Sequence, residues 1–374
     1  MALRFNPEFF HIVYVITRSD CFGGAQTHVT LLSEEMKNKG YKVTVIVGGN
    51  GPLIKILENK GIKVISVNSF IREINLISEI KTIINLFFIF KKIKPSIIHA
   101  HSFKAGVFIR FLSKIGLIKK CIFTAHGWSH IKTAVGIRKL FYKYLERFLN
   151  SSCSVLVNVC DSDYDYAIKN YLGSKKNSIV IHNSVKNFKN KTLPRVYKPN
   201  IESLEIITIS RMDEPKNPFM LIQGLSFLKI NNWKLTIIGD GKYLPELKIL
   251  VKKKNLSKNI TFKGEQQEVY SELIKSHIFI LCSKSEGFPK SILEAMQLGK
   301  PVIASDVGGI SEAIIPKLNG DLLFTQDPKE LTKKLSYFLK HPEQIYNYGL
   351  NSQKFFKEKF NLDKMISKTQ ALYK

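Results

Sequence analysis

Two glutamates in the stretch SEGFPKSILEAMQLG are spaced so as to restrict any chemistry they could share. Glu286 and Glu294 are eight positions apart. In a continuous helix they would be about 12 Å apart along the axis. That distance is too large for two carboxylates that pass one proton between them as a general acid and base. The remaining interpretations are ordinary surface charges or two contacts to different parts of one long ligand.

The position of Pro289 predicts where a helix begins between the two glutamates. Proline is favoured in the first turn of a helix, and glycine is typical of the position after its end. We therefore predict a helix from Pro289 to Leu298, ending at Gly299. Glu286 then lies in the preceding loop, and the free backbone N–H groups at the helix start can bind an anion. A carboxylate on each side of this phosphate site can accept hydrogen bonds from hydroxyl groups. This arrangement suits a nucleotide sugar, which has hydroxyl groups at both ends and phosphates in the middle.

A pair of cations occurs in the stretch SRMDEPKNP. Arg211 ends a predicted strand, and Lys216 precedes a predicted helix start at Asn217 and Pro218. Two cations at the carboxyl end of a strand can neutralise a diphosphate leaving group. An exposed turn with ordinary surface charges is the alternative.

Glycines follow the first predicted strand in FGGAQTH. Gly23 and Gly24 allow the backbone to approach a ligand closely at a helix start. The nearest match to the dinucleotide fingerprint is GDGKYLP, where Pro245 replaces the third glycine. Nicotinamide binding is therefore poorly supported, and Gly239 and Gly241 fit a tight turn at least equally well.

Histidines lie at the ends of predicted strands. His99 and His101 alternate within one strand and so project from the same face, while His126 precedes Gly127 at the end of the next. A metal site needs a third ligand and supporting partners, and no acidic residue is near in sequence. We therefore predict no metal, and expect His126 either to hydrogen-bond a sugar or to pack in the core.

These residues are set in a chain that alternates apolar runs with longer amphipathic segments. The alternation predicts two doubly wound α/β domains, facing each other across a cleft at the carboxyl ends of their strands. We predict domains at 1–188 and 205–345, a linker at 189–204 that contains two prolines, and C-terminal helices at 346–374 that could cross back to the first domain. The predicted strands are HIVYVIT (11–17), KVTVIVG (42–48), KVISV (63–67), SIIHAH (96–101), CIFTAH (121–126), SVLVNV (154–159), EIITISR (205–211), KLTIIGDG (234–241), ITFKGE (260–265), IFILCS (278–283) and PVIASD (301–306).

The charge is strongly positive and unevenly distributed. The net charge is +27 over 374 residues, and residues 1–191 hold 29 Lys/Arg against 11 Asp/Glu. A basic half of this kind indicates a polyanionic partner, unless the excess of lysine is compositional. Nucleic-acid binding has only this charge in its favour, because no DNA- or RNA-binding module is recognisable. The segment 73–94 carries a broad apolar stripe and ends in lysines, so it could enter a membrane interface or pack on its own sheet.

Other sequence features favour a cytoplasmic protein. The five cysteines include no Cys-x-x-Cys pair, as expected for reduced thiols. The N-terminus lacks the cleavage site of a signal peptide. The apolar run IINLFFIF is too short to span a bilayer.

Taken together, the motifs resemble those of the retaining glycosyltransferases of the GT-B fold, family 4 (group 1). The likeness runs in order from about residue 11 to 340 and includes FGGAQTHV, TAHG, IHNSV, SRMDEPKN and EGFPKSILEAM. VITRSDCFGGAQTHV, HAHSFKAG and FTAHGW look especially like the capsular-polysaccharide branch. One departure is Ser184, where the family usually has glycine.

The resemblance implies a role for each matching residue. Arg211 and Lys216 would hold the donor diphosphate, and Glu286 would contact the donor sugar hydroxyls. Glu294 would bind the ribose, and His126 would bind and position the sugar. The other implied donor contacts are Gly23, Gly24, Gly287, Phe288 and Pro289.

The resemblance also implies the reaction and the partners. The expected donor is a nucleotide sugar, by family habit a UDP sugar, and the acceptor a lipid-diphosphate-linked saccharide in polysaccharide biosynthesis. We expect a peripheral enzyme at the inner face of the cytoplasmic membrane, bound to anionic lipid, without cofactor, metal or nucleic acid. No carboxylate presents itself as a nucleophile, so a front-face route is expected. The alternative enzyme is a GT-B-like nucleotide-sugar 2-epimerase, which would need groups placed for proton transfer at the sugar.

Overall fold

The structure, a computed structural model, describes residues 7–20, 23–71, 73, 75–187, 203–230 and 232–373. It divides into two compact units, Met1–Asn183 with Asp363–Lys374 and Ser184–Leu362. The predicted boundary at 188 and the predicted linker, apart from 203 and 204, lie outside the described residues.

The first unit is a seven-stranded parallel sheet in the order β3-β2-β1-β4-β5-β6-β7. Its inner strand β1 is buried along its whole length, as expected when helices cover both faces of a parallel sheet. The strands are β1 His11–Ile16, β2 Lys42–Gly48, β3 Lys63–Val67, β4 Ile97–His101, β5 Cys121–Ala125, β6 Val155–Asn158 and β7 Ser178–Val180. The helices are α1 Gly24–Asn38, α2 Pro52–Asn59, α3 Leu76–Ile93, α4 Phe103–Lys114, α5 Ser129–Lys132, α6 Gly136–Leu149 and α7 Asp161–Lys169.

The second unit repeats the scheme with a six-stranded parallel sheet in the order β10-β9-β8-β11-β12-β13. The strand order reverses between β8 and β11, which are neighbours, and ligands of such sheets bind where this reversal occurs. The strands are β8 Leu204–Ile209, β9 Trp233–Ile238, β10 Ile260–Phe262, β11 Ile278–Leu281, β12 Val302–Ser305 and β13 Gly320–Leu323. The helices are α8 Pro218–Ser226, α9 Leu244–Lys253, α10 Tyr270–Lys275, α11 Lys290–Gln297, α12 Ile310–Ala313, α13 Pro328–Lys340 and α14 Glu343–Lys359.

The predicted fold class is confirmed: both units are Rossmann-like α/β domains with parallel sheets. Every predicted strand is present. The edge strands β7 (SIV) and β13 (GDLL) were not predicted, because three or four residues are too few to show a periodicity. None of the described helices has both the length and the apolar composition required to cross a membrane.

The last helix, α15 Leu362–Ala371, leads into residues that belong to the first unit. The hydroxyl of Tyr373 lies 2.8 Å from Nδ1 of His99 and 3.0 Å from the hydroxyl of Tyr14. Gln370 Nε2 also donates to the hydroxyl of Tyr41. The end of the chain is therefore hydrogen-bonded to the strands β1 and β4.

Candidate active site and family

Two loops meet at the carboxyl ends of β8 and β11 in the second unit. Lys216, in the loop after β8, forms an antiparallel bridge with Ser283, in the loop after β11. The Asn217 N–H donates to the Cys282 carbonyl at 2.9 Å. Asn217 also caps α8, since its side chain accepts from the Met220 N–H. The backbone pairing fixes the position from which Lys216 extends.

Glu286 receives two side-chain hydrogen bonds at one carboxylate oxygen. Lys216 Nζ and Ser283 Oγ both donate to its Oε1, the hydroxyl at 2.6 Å. The side chains are well covered, at 16% exposure for Lys216 and 9% for Glu286. A charged pair with little access to water is held more firmly than a surface pair. The two residues expected to contact different parts of a donor are therefore direct partners.

A third loop supports Glu286 through its backbone. Gly308, after β12, has φ +63°, and a Cβ there would lie 2.2 Å from the Glu286 carbonyl oxygen. The adjacent Gly309 N–H donates to the Gly287 carbonyl at 2.8 Å. Ser305 at the end of β12 accepts from the Ser283 N–H. Only glycine allows this close approach, so Gly308 positions the loop that carries Glu286.

Arg211 follows β8 but has a different partner from Lys216. Its Nη1 lies 3.1 Å from Asp213 Oδ2, and its side chain is about half exposed. Gly239, after β9, has φ +137°, and a Cβ there would lie 1.9 Å from the Ser210 carbonyl oxygen. Gly239 therefore packs against the start of the Arg211 loop, in accordance with the turn that its sequence favoured.

The helix predicted between the two glutamates is present. It is α11, Lys290–Gln297, with Pro289 as the N-cap residue rather than inside the first turn. Glu286 lies in the preceding loop, as predicted, and Glu294 lies more than one turn into the helix. Burial raises the pKa of Glu294 and lowers the pKa of Lys290, and the opposite charge of each partner opposes the other's shift.

The Phe288 side chain packs inside the second unit against another aromatic ring. It is buried, and its ring centroid lies 5.0 Å from that of Phe360 after α14. The side chain therefore anchors the loop between Gly287 and Pro289 and leaves only its backbone for a ligand. Ser184, where the family usually has glycine, is buried and donates to the Phe360 carbonyl at 2.6 Å.

In the first unit, Gly23 and Gly24 lie at the start of α1. Gly23 is the N-cap residue, and its N–H donates to the Gln26 side chain. Gly24 is exposed, and a Cβ there would have no atom within 4 Å. Packing within the unit therefore does not require glycine at position 24.

His126, just after β5, belongs to a cluster of histidines in the first unit. His101 Nδ1 lies 3.1 Å from His126 Nε2, and the ring of His28 in α1 packs edge-on against His126. His99 and His101 project from the same face of β4, as their alternation predicted, with 4.2 Å between their ring centroids. Ring nitrogens of His28, His101 and His126 lie within 4.8 Å of one another, close enough for a transition-metal ion to bridge after small adjustments.

Burial keeps the inner histidines neutral. It lowers the pKa of His99 to about 3 and that of His101 well below its ordinary value, and neighbouring imidazoles add to both shifts. His99 Nε2 also lies 2.7 Å from Thr124 Oγ1. A neutral His101 can hold His126 through a hydrogen bond without adding charge.

The pKa of His99 predicts that the first unit loses stability in acid. Between pH 6.5 and about 3 the unfolded chain binds a proton at His99 that the folded chain does not, so stability decreases as the pH falls below 6.5. At pH 5 the loss is about 2 kcal/mol. Urea unfolding of a Trp233→Phe protein, in which Trp128 reports on the first unit, measures it. We expect His99→Gln to reduce the pH dependence and exposed His341→Gln to leave it unchanged; equal slopes for His99→Gln and its parent would contradict the prediction.

Three contributors to these clusters were not predicted from the sequence: Ser283, Gly308 and His28. The signals were present, because SKSEG places a hydroxyl near Glu286, VGG marks a tight backbone approach, and GGAQTH contains the third histidine. None of these signals shows which residue the side chain or glycine will contact, because that depends on the order of the strands in the sheet.

Comparison with known proteins agrees with this architecture. The family model described as "Glycosyltransferase Family 4" matches residues 22–186, and that described as "Glycosyl transferases group 1" matches residues 189–355. The O-antigen biosynthesis glycosyltransferase WbnH of Escherichia coli is 31% identical over 81% of this chain and 83% of its own. The UDP-Gal:alpha-D-GlcNAc-diphosphoundecaprenol alpha-1,3-galactosyltransferase of the same organism is 26% identical over 91% and 90%.

Solved structures give the same answer for the fold. The crystal structure of Anabaena Alr3699/HepE in complex with UDP and glucose has a TM-score of 0.84 at 17% identity, and the match covers 97% of this chain and 99% of that one. The matching models, the relatives and the two Rossmann-like units agree: the chain belongs to the family 4, group 1 glycosyltransferases of the GT-B fold.

Proposed function

We propose that this glycosyltransferase transfers a sugar from a UDP sugar to a lipid-diphosphate-linked saccharide, with retention of configuration and without a metal. The observation that carries the proposal is the Lys216–Glu286 pair at the carboxyl ends of β8 and β11. A cation for phosphate and a carboxylate for sugar hydroxyls are both needed at the reacting bond of a nucleotide sugar. Support for UDP comes from the bound UDP of HepE, and support for the acceptor from the name of the galactosyltransferase relative.

The donor contacts divide between charge and hydroxyl recognition. Lys216 and Arg211 bind the diphosphate, together with the backbone N–H groups at the start of α11. Glu286 accepts from the sugar hydroxyls, and its loop brings the backbone of Gly287 and Phe288 close to the sugar. Glu294 binds the ribose hydroxyls.

Two contacts come from the first unit. His126 hydrogen-bonds the donor sugar, and its orientation is set by His101. The start of α1 at Gly23 and Gly24 approaches the donor through its backbone.

The reaction proceeds on one face of the sugar. The bond between the anomeric carbon and the UDP oxygen breaks, and the acceptor oxygen forms its bond from the same side. The departing diphosphate oxygen takes the proton of the acceptor hydroxyl. Lys216 and Arg211 stabilise the charge that develops on that oxygen, which is the principal demand on the protein.

The test is transfer by the purified protein to a short-chain diphosphate-linked saccharide, using a panel of UDP and GDP sugars. We expect one UDP sugar to be used, an α-linkage from an α-donor by NMR, and full activity in EDTA. An inverted product would contradict retention. Activity that EDTA abolishes and Zn²⁺ restores would contradict metal independence. Conversion of the donor sugar without acceptor would indicate the epimerase.

Gly24→Ala is expected to leave the fold unchanged and to weaken the donor complex. The added methyl has free space within the unit, so any loss reflects the ligand. We expect KM for the donor to rise about tenfold, because a methyl in a close backbone contact costs about 1–3 kcal/mol. Gly264→Ala, which also meets no atom within 4 Å, is the control, although its φ of +69° adds some strain. An unchanged KM for Gly24→Ala would remove the start of α1 from the donor site.

A further inference from the structure

The helix α6 exposes most of its apolar residues, although Leu149 near its end is buried. A helix at the surface of a soluble domain normally turns its apolar stripe toward the core. In α6 the exposed stripe has the spacing of one helix face, with side chains 55–83% exposed: Ile137, Leu140, Phe141, Tyr144 and Phe148. Val135, just before the helix, is 80% exposed.

The inward face of α6 contains its only acidic residue. Glu146 is fully buried, and its Oε2 lies 2.8 Å from Arg110 Nη1 of α4. Arg110 is also buried, with its guanidinium 4.3 Å from the Phe123 ring centre. The ion pair fixes α6 to α4 and removes the acidic group from the surface.

The helix α3 shows the same arrangement on the other side of α4. Its outward residues are 48–76% exposed: Leu76, Ile77, Ile80, Ile84 and Phe88. Its only acidic residue, Glu79, lies 2.7 Å from Lys104 of α4. The crossovers that contain α3, α4 and α6 all progress in the same direction along the sheet, so right-handed connections place the three helices on one face.

The charges that remain on this face are positive. The exposed ones on the two helices are Lys81, Lys91, Lys92, Arg138 and Arg147. At the end of α4, Lys114 Nζ donates to the Phe148 carbonyl and lies 4.4 Å from the Phe148 ring centre. The loop that follows adds exposed Ile115 and Leu117. The α3–α6 face, defined by these residues of α3, α6 and the end of α4, is thus apolar and basic, with both acidic groups of its two helices paired to α4.

We propose that the α3–α6 face is the surface by which the protein inserts into the headgroup region of an anionic bilayer. Apolar side chains flanked by lysine and arginine match a membrane interface, where acyl chains and anionic headgroups lie at successive depths. A second copy of this chain would supply apolar area but would bring its own positive charges against these. The inference rests on the proposed function for its purpose, because a lipid-linked acceptor lies in the bilayer.

Vesicle binding by variants of this face is the test. We expect the full-length protein to cosediment with vesicles of equal parts phosphatidylcholine and phosphatidylglycerol, less so as salt rises, and weakly with phosphatidylcholine alone. Ile137→Glu/Phe141→Glu should weaken binding at least tenfold, because two apolar side chains no longer leave water. Arg138→Glu/Lys92→Glu should weaken binding and reduce its salt dependence. Ile249→Glu, an equally exposed position on α9 of the second unit, should have no effect.

The outcomes separate this inference from the proposed function. Ile137→Glu/Phe141→Glu should transfer sugar to a water-soluble acceptor as the parent does, which also shows that it is folded. Absent binding, or binding unchanged in this variant, would overturn the inference. The inference would also be overturned if the parent formed a dimer and this variant were a monomer, because the face would then join two copies of the chain. Binding by a protein that transfers no sugar would instead contradict the proposed function and leave the membrane surface in place.

Discussion

Glu286→Gln is expected to lower sugar transfer by about 100-fold or more. The substitution keeps the size of the side chain but removes the charge that accepts from Lys216 and Ser283. An amide also presents N–H groups to partners that are themselves donors. Hydrogen bonds to charged groups contribute about 1.5–3 kcal/mol each, and two would be lost or weakened at the reacting bond.

The matched control for Glu286→Gln is Glu214→Gln. Glu214 also pairs with a lysine, at 2.9 Å from Lys284, but both partners are about half exposed. An exposed pair contributes little to stability or function, so the control should behave as the parent. Circular dichroism and thermal unfolding confirm that both variants fold. Near-parental transfer by Glu286→Gln would remove this residue from the site.

The contrast between these two ion pairs illustrates what sequence reasoning could and could not predict. The strand–helix alternation predicted both sheets, and Pro289 predicted α11 to within one residue. Because parallel strands end at the same edge, Lys216 and Glu286 were both expected near the donor. Their direct contact depends on β8 and β11 being neighbours and on the Lys216–Ser283 bridge. Neither is encoded in local periodicity, since the strands are not consecutive.

The same limit explains the histidines. Alternation placed His99 and His101 on one face, but His28 reaches them because α1 packs against the sheet with its buried side. A histidine among apolar residues on a predicted helix looks like any core residue until the strand beneath it is known.

The helices α3 and α6 show a limit of a different kind. The sequence of α3 was compatible with both packing on the sheet and entry into an interface. The structure shows that one side, with Thr82, Leu86 and Phe90, is buried while the opposite stripe is exposed. In α6 the buried contact of Glu146 with Arg110 shows which side of the helix faces inward, and this contact has no signal in the local sequence.

Lys216→Met is expected to reduce kcat by about 100- to 1000-fold, the range found when one group that stabilises developing charge is removed. Methionine keeps most of the aliphatic length, so the loss reports on the charge. Negative charge would then develop on the departing diphosphate oxygen without its principal cation. Arg211 compensates only in part, because its side chain is half exposed and paired with Asp213. UDP affinity, measured by calorimetry, should fall together with kcat.

The pairing of Lys216 with Glu286 makes a double-mutant cycle informative. If Glu286 served only to hold Lys216, the double variant would be no worse than Lys216→Met alone. If Glu286 also binds the sugar, the double variant should lose more activity than either single variant. The difference between its loss and the sum of the two single losses, expressed as free energies, then measures the coupling between Lys216 and Glu286. Lys284→Met, which breaks the exposed pair with Glu214, is the control. Parental activity of Lys216→Met would mean that the ion pair only braces the loop between β11 and α11, and that the charge on the leaving group is stabilised elsewhere.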